Sequence, residues 1–295
     1  MPNPSPVMPL QQLSDALTDV VGRAAPSIVA VHSTRSRSSG FVWRPGLIVT
    51  ADDALDDEGA IAVALPDGEM VAAKVVGRDP TTDVALLRVD RSDLPPAHLE
   101  SSSVVAGALA WAVGSQHGTS IAAFGTVSLV GGPWRSLRGG EIDERIELDL
   151  SLRRPGEGGL TVDASSRHFG MVVFGPRRHV LVIPAATIER VAATLEAHGR
   201  VARGYLGLGL QSTKLDGDQG MGIMVMSVDP NGPGATAGVR QGDVIIKWND
   251  QQIEGIRQLL RALGPNTVGS SVKLTLRRGG EPADALLTIR ERPEP

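Results

Sequence analysis

The feature that most constrains the fold is a succession of short, apolar, strand-like runs separated by glycine, proline, aspartate and asparagine. Aliphatic residues dominate each run and turn-forming residues bound it, as is typical of β-strands. Two sets of about six such runs predict two packed antiparallel β-barrels. The first set is Ser27–His32, Phe41–Trp43, Leu47–Thr50, Ala60–Leu65, Met70–Val76 and Val84–Val89; the second is Leu109–Val113, Ala123–Val130, Arg145–Leu150, Leu160–Val162, Gly170–Phe174 and His179–Ile183.

Composition agrees with a β-rich fold. The 295 residues include 35 glycines and 20 prolines, and aromatic residues make up only 3%. Aliphatic side chains must therefore fill the cores, and tight turns must be frequent. Apolar residues recur at helical spacing in two places, which predicts helices at about 10–23 and 185–198. Gly199 is the predicted stop of the second helix.

Composition also excludes several classes of function. The net charge is −4 and no basic run with interleaved aromatics occurs, so nucleic-acid binding is not expected. Without cysteine there is no disulfide or thiol chemistry. The first residues have no basic segment followed by an apolar run long enough for a signal peptide or a membrane span. As written, the sequence predicts a cytoplasmic protein, or a periplasmic one if an export signal has been trimmed.

The chain changes character after Gly199. An N-terminal segment with a short helix (1–25) and the two barrels (26–199) are expected to precede a smaller α+β module at 200–291, with a tail at 292–295. This module opens with Gly204-Tyr205-Leu206-Gly207-Leu208. Its later landmarks are a helix around Ile256–Leu263 and the strands Val272–Arg277 and Ala285–Ile289.

Six ordered segments resemble the HtrA (Deg) family, in which a trypsin-like protease domain is followed by a PDZ domain. The resemblance reaches from near Leu13 to near Ile289, and implies a mainly β architecture with a trypsin-like double β-barrel and a PDZ domain. It also implies a role in protein quality control. The segments are Ala24–Val29, Leu65–Gly68, Val76–Leu87, His198–Val201, Arg203–Gly207 and Ala237–Ile245.

The catalytic positions depart from the family pattern. Asp83 matches the triad aspartate, but Asp53 stands in the place of the histidine and Glu157 in the place of the serine. Pro155 falls where the family has a donor to the oxyanion, and proline has no N–H. A carboxylate is a weak base for a hydroxyl and does not form the ester intermediate of a serine protease.

These replacements predict a pseudoprotease, which is not an enzyme but a scaffold, adaptor or regulator. One alternative is an active HtrA-type serine endopeptidase with a displaced triad. Ser165, Ser166 and His168 lie close together in sequence, but their surroundings are typical of a polar hairpin turn. A second alternative is a divalent cation bound by the three carboxylates of the old active site. No cofactor or metal is assigned.

The PDZ resemblance predicts a peptide-binding site for protein C termini that end in an apolar residue. Backbone N–H groups of the opening loop would hold the terminal carboxylate, the following strand would pair with the peptide, and leucines would form an apolar pocket. Further expected partners are an active HtrA relative and other copies of the chain, because trimers are usual in the family. The peptide-binding residues are Gly204, Tyr205, Leu206, Gly207, Leu208 and Leu259.

Overall fold

A computed structural model describes residues 9–101, 104–215, 220–253, 255–264 and 267–293. The chain divides into two compact units. The first comprises Met1–Trp134 and Ile142–Arg200, and the second Arg135–Glu141 and Val201–Pro295. The predicted domain limits, 26–199 and 200–291, stay a prediction.

The first unit contains the two predicted barrels. Strands of the first barrel close in the order β1-β2-β3-β6-β5-β4, around an aliphatic interior that includes Val31, Ile48 and Leu87. Neighbouring strands are antiparallel, so hairpins connect most of them. The strands are β1 (Ile28–His32), β2 (Arg37–Arg44), β3 (Leu47–Thr50), β4 (Ile61–Ala64), β5 (Met70–Asp79) and β6 (Val84–Val89).

The second barrel closes in the order β11-β14-β13-β12-β7-β8. Its core includes Ala110, Val127, Ile146 and Val172. A separate two-stranded sheet pairs β9 with β10. The strands are β7 (Leu109–Gln116), β8 (Thr119–Gly131), β9 (Trp134–Arg135), β10 (Glu141–Ile142), β11 (Arg145–Asp149), β12 (Leu160–Asp163), β13 (His168–Phe174) and β14 (Val180–Pro184).

Both predicted α-helices occur in the described part of this unit. They are α1 (Pro9–Ala24) and α2 (Ala185–His198). Gly199 ends α2 in the left-handed conformation, with φ of 72°, and its N–H donates to the Leu195 carbonyl. A residue with a side chain is strained in this conformation, which explains why glycine stops the helix here.

The second unit is a sheet in the order β16-β17-β18-β20-β21, with β19 paired to β18, and a two-stranded sheet of β15 with β22. Its core includes Ile223, Ile245 and Leu274. The predicted helix near its end stops at Arg261 rather than Leu263. The elements are β15 (Gly204–Tyr205), β16 (Leu208–Lys214), β17 (Met221–Val228), α3 (Pro233–Thr236), β18 (Val244–Trp248), β19 (Gln251–Gln252), α4 (Ile256–Arg261), β20 (Ser271–Arg278), β21 (Glu281–Thr288) and β22 (Arg290–Glu291).

Two glycines should respond in opposite directions to the same substitution. Gly199→Ala should lower the free energy of unfolding by about 1 kcal/mol, because alanine is strained at positive φ. Gly22 lies within α1, and a Cβ at this position would meet open space. Gly22→Ala should therefore raise the free energy of unfolding by about 0.5–1 kcal/mol. Urea unfolding followed by circular dichroism measures both. If both substitutions changed the free energy of unfolding in the same direction, this explanation of the end of α2 would be contradicted.

Candidate active site and peptide-binding loop

The loop between β11 and β12 holds Glu157 in a tight turn. Residues Arg154–Gly156 form a single 3₁₀ turn in which the N–H of Gly156 donates to Arg153 O at 2.8 Å. The N–H of Glu157 donates to Arg154 O at 3.1 Å, and that of Gly158 to Val172 O at 2.8 Å. Each N–H from 156 to 158 therefore has a carbonyl partner in this conformation, and the residue before them is a proline.

Ser39 of β2 holds the same loop from the first barrel. Its N–H donates to Glu157 O at 2.7 Å, and its hydroxyl to Pro155 O at 2.5 Å. The hydroxyl also accepts the N–H of Ser115 at 2.8 Å, and Thr50 donates its hydroxyl proton to Ser39 O at 2.7 Å. One serine therefore connects both barrels to the loop, a link that the sequence pattern did not indicate.

Gly158 is required where this loop meets β2. Its φ is 82°, and a Cβ there would lie 2.3 Å from Ser39 O and 2.9 Å from Thr50 Oγ1. Only a residue without a side chain allows this approach. The surviving glycine is thus explained by packing against the first barrel.

The structure brings the predicted carboxylate positions together. Asp83, with φ of 59°, accepts the backbone N–H of Asp53 through Oδ1 at 2.7 Å. Glu157 is 6% exposed, and its Oε1 accepts the N–H of Phe174 at 3.4 Å. Asp53 itself is exposed.

Burial controls the proton affinity of two of these groups. Burial raises the pKa of Asp83 to about 8; the Asp53 N–H opposes the shift, and the nearby Asp53, Glu157 and Asp52 carboxylates add to it. Burial also raises the pKa of Glu157, while the Phe174 N–H and the Arg154 guanidinium act in the opposite direction and lower it. At neutral pH Asp83 is therefore mainly a neutral acid that can donate a hydrogen bond.

An ion pair that the sequence reasoning missed supports this cluster. Arg78 of β5 donates Nε to Asp52 Oδ1 at 2.5 Å and Nη2 to Asp52 O at 3.2 Å. Its Nη1 reaches Asp56 O at 3.1 Å, so one guanidinium fixes the segment on both sides of Asp53. The only sequence signal was an arginine in the segment Val76–Leu87, where nothing indicates its partner.

A cavity of about 510 Å³ opens beside the Glu157 loop. Its walls include Ile121 and Phe124 of β8, Leu152, Arg153 and Pro155. Gln116 and Ser151 also line it, so the cavity has mixed polar and apolar walls with room for a side chain beside the loop.

The alternative serine and histidine residues lie in a hairpin turn, as their composition indicates. Asp163 Oδ1 accepts the N–H groups of Ser165 and Arg167, at 2.8 and 3.0 Å. These are the hydrogen bonds of a turn stabilised by an aspartate side chain. As for a metal, no group of three or more His, Cys, Asp or Glu residues within the described ranges is arranged to hold one.

In the second unit, the loop before β16 presents backbone N–H groups. Leu206 O accepts the N–H of Gly234, and Gly207 O that of Asp229, each at 2.8 Å. A trans peptide directs its N–H opposite to its C=O, so the N–H groups of Gly207 and Leu208 point away from these partners. Two adjacent N–H groups directed away from the protein's own carbonyls are donors that a carboxylate could accept from.

Other predicted residues of this loop have different contacts. The N–H of Gly204 donates to Leu263 O at 3.1 Å, so it is not available to a ligand. The hydroxyl of Tyr205 donates to Asp229 Oδ2 at 3.0 Å. Leu206 and Leu259 are buried in the core, whereas Leu208 is only partly buried.

Two family models match the chain. Residues 38–171 match the trypsin-like peptidase domain, and residues 204–289 match the PDZ domain. The predicted fold, a mainly β double barrel followed by a PDZ domain, is confirmed.

Curated relatives carry the same domains in longer chains. A probable periplasmic serine endoprotease, DegP-like, from Bartonella henselae is 30% identical over 87% of this chain and 53% of its own length. A protein of the same name from Pseudomonas savastanoi pv. phaseolicola is 31% identical over 89% and 57%. The chain thus spans about half the length of the curated relatives it matches.

Solved structures agree over nearly the whole chain. The serine endoprotease from Yersinia pestis is 26% identical, with a TM-score of 0.70, and covers 94% of this chain and 98% of its own. The HtrA-type protease AlgW with tripeptide is also 26% identical, with a TM-score of 0.65 and the same coverage.

Two predictions from the sequence are contradicted. The prediction that the chain is not an enzyme is wrong, because the similar proteins are named serine endoproteases, which points to an enzyme. The cytoplasmic prediction is wrong because the curated relatives are named periplasmic. It depended on amino-terminal residues, of which 1–8 lie outside the described residues. No helix in the described part of the chain is long and apolar enough to cross a membrane.

The raised pKa of Asp83 predicts a pH-dependent change in stability. Between its ordinary pKa and about 8, the unfolded state releases the proton and the folded state keeps it, so Asp83 costs stability as pH rises. Asp83→Asn cannot ionise, can still accept the Asp53 N–H, and suits a positive φ. Its free energy of unfolding should equal that of the wild type near pH 4 and exceed it by about 1 kcal/mol or more at pH 9.

Urea midpoints from pH 4 to 9 measure this difference. Asp90→Asn, an exposed aspartate in the same barrel, is the matched control and should show little change with pH. A constant difference between Asp83→Asn and wild type across the range would contradict the buried neutral acid.

Proposed function

We propose that this chain, which carries the trypsin-like and PDZ domains of the HtrA-type endoproteases, is a periplasmic endopeptidase that binds its substrates by their C termini. The PDZ loop supplies the observation that carries the proposal. Because Gly234 and Asp229 hold the carbonyls of Leu206 and Gly207, two adjacent N–H groups are free to face a terminal carboxylate. Leu208 begins a strand at the edge of its sheet, where a peptide can add as a further strand.

Endopeptidase activity is supported by the names of the similar proteins and by the matched peptidase domain. Glu157 stands where the resemblance places the serine, so hydrolysis at this position requires another group. In one route, Asp53 deprotonates a water molecule that attacks the peptide carbonyl, the neutral Asp83 donates a hydrogen bond, and Asp53 returns the proton to the amine as the C–N bond breaks. The other route is a serine displaced from the usual position.

Protein quality control is the proposed role. A PDZ domain that binds proteins by their free C termini is suited to recognising damaged or mislocalised chains. A homo-oligomer and an HtrA relative are part of the same proposal. The exposed leucines at the start of α1, Leu10 and Leu13, support contact with another protein surface.

Peptide binding should depend on the free carboxylate and on the strand edge. A decapeptide with an apolar C-terminal residue should bind at least tenfold more weakly as its carboxamide, because the charge-assisted hydrogen bonds are lost. Leu208→Asp should also weaken binding at least tenfold by placing a charge in the groove. Leu286→Asp, the same change on β21 at a side chain 70% exposed, is the control and should bind as wild type. Fluorescence anisotropy measures the affinity of the wild type for the acid and for the carboxamide, and the affinity of each variant for the acid. Equal affinity for acid and amide would overturn the peptide-binding part.

Endopeptidase activity is tested with casein and a fluorophosphonate probe. The purified chain should cleave casein, and Asp53→Asn, purified in the same way, distinguishes the two routes. The carboxylate route is supported if casein is cleaved, no serine is labelled, and the cleavage rate falls at least tenfold in Asp53→Asn. A general base typically contributes a factor of about 10²–10⁴ to the rate. Labelling of a serine, with activity kept in Asp53→Asn, supports the displaced serine. Absence of cleavage in both proteins would overturn the endopeptidase part and leave the peptide-binding part to its own test.

A further inference from the structure

Two histidines from different barrels meet outside the carboxylate cluster. His32 is the last residue of β1, and His117 is in the two-residue turn between β7 and β8. Their ring centroids are 5.0 Å apart and their planes meet at 80°. Neither ring takes part in the proposed hydrolysis or in peptide binding.

The rings meet edge-on, at a centroid separation that two imidazoles bound to one metal ion would also have. With a metal–nitrogen distance of about 2.0–2.1 Å and a ring nitrogen about 1.1 Å from its centroid, each centroid would lie about 3.2 Å from the metal. Two centroids 5.0 Å apart then subtend an angle of roughly 100° at the metal, close to the tetrahedral value.

The backbone at His117 is an independent observation. His117 and Gly118 have φ of 53° and 81°, the pattern of a hairpin turn that favours Asn-Gly. Histidine, like asparagine and aspartate, is enriched at positive φ, so the turn accommodates His117 at this position. The turn is also held in place, because a Cβ on Gly118 would lie 2.7 Å from Leu65 O of the first barrel.

Burial and nearby positive charge both favour the neutral form of His32. Burial lowers the pKa of His32, and Arg37 and His117 lower it further. A neutral imidazole is the form that binds metals. The Arg37 Nη1 donates to the carbonyls of Ser33 and Ser36 at 2.7 and 2.9 Å, which holds the guanidinium in place, and its positive charge disfavours a cation at His32.

We propose that His32 and His117 form a binding site for one divalent transition-metal ion, with water completing the coordination. Imidazole ligands select Zn²⁺, Ni²⁺ and Cu²⁺ over Mg²⁺ and Ca²⁺, and Cu²⁺ should bind most tightly. The two imidazoles are the protein ligands of this proposal; no group of three or more His, Cys, Asp and Glu residues in the described ranges is arranged to hold a metal. Bound metal would connect β1 of the first barrel to the β7–β8 turn of the second.

Titration calorimetry of the untagged chain with Cu²⁺ and with Zn²⁺ at pH 7.5 tests the site. One ion should bind per chain, and His32→Asn or His117→Asn should weaken binding at least tenfold. His198→Asn, which removes an exposed histidine at the end of α2, is the matched control and should bind as wild type. Lowering the pH to 5 should weaken binding because protons compete for the same nitrogens.

His117→Asn separates metal binding from folding. Asparagine suits the positive φ of this turn, so the metal-free variant should unfold at or above the wild-type temperature while losing the stabilisation by metal. The electron paramagnetic resonance spectrum of the Cu²⁺ complex should show two coordinated imidazole nitrogens in the wild type and one in either variant. Binding that neither variant weakens, or that His198→Asn weakens equally, would overturn the proposal.

Discussion

The hydrogen bonds of Ser39 hold together the part of the molecule where the two barrels and the Glu157 loop meet. Its N–H and its hydroxyl bind two carbonyls of the loop, at Glu157 and Pro155, and the hydroxyl also accepts the N–H of Ser115. Because a peptide unit is planar, fixing its carbonyl also fixes its N–H. The directions of the N–H groups at Gly156 and Gly158 therefore follow from a serine on the opposite barrel.

The carboxylates lie beside the loop that Ser39 holds, and Glu157 is buried there. Arg78 neutralises Asp52, the Asp53 N–H binds Asp83, and Glu157 turns toward the N–H of Phe174. Negative charge is thus reduced by the ion pair of Arg78 with Asp52 and by the raised proton affinity that burial gives Asp83 and Glu157. The proposed activation of water uses the same division between an exposed carboxylate and a buried acid.

Local patterns predicted the elements well, and they failed where distant residues meet. Alternation and turn residues placed both barrels, and Gly199 marked the end of α2. The contacts of Ser39 and the pair of His32 with His117 depend on barrel packing, which no local pattern records. At the loop before β16 the sequence indicated the right segment, but only the carbonyl contacts of Leu206 and Gly207 show which N–H groups are available. The prediction of inactivity relied on residue identities at three positions, and such identities do not reveal whether other groups perform the reaction.

The separation in sequence of the Ser39 contacts has a consequence for how the protein folds. Ser39 is 76 residues from Ser115 and 116 from Pro155, so these bonds close long loops of chain. Closing such loops is entropically costly and is repaid only when both barrels are largely formed. During synthesis and refolding, the Glu157 loop is therefore ordered late, and a chain that has completed only its first barrel has no assembled site. The barrels must therefore pack together before the residues of this region can meet.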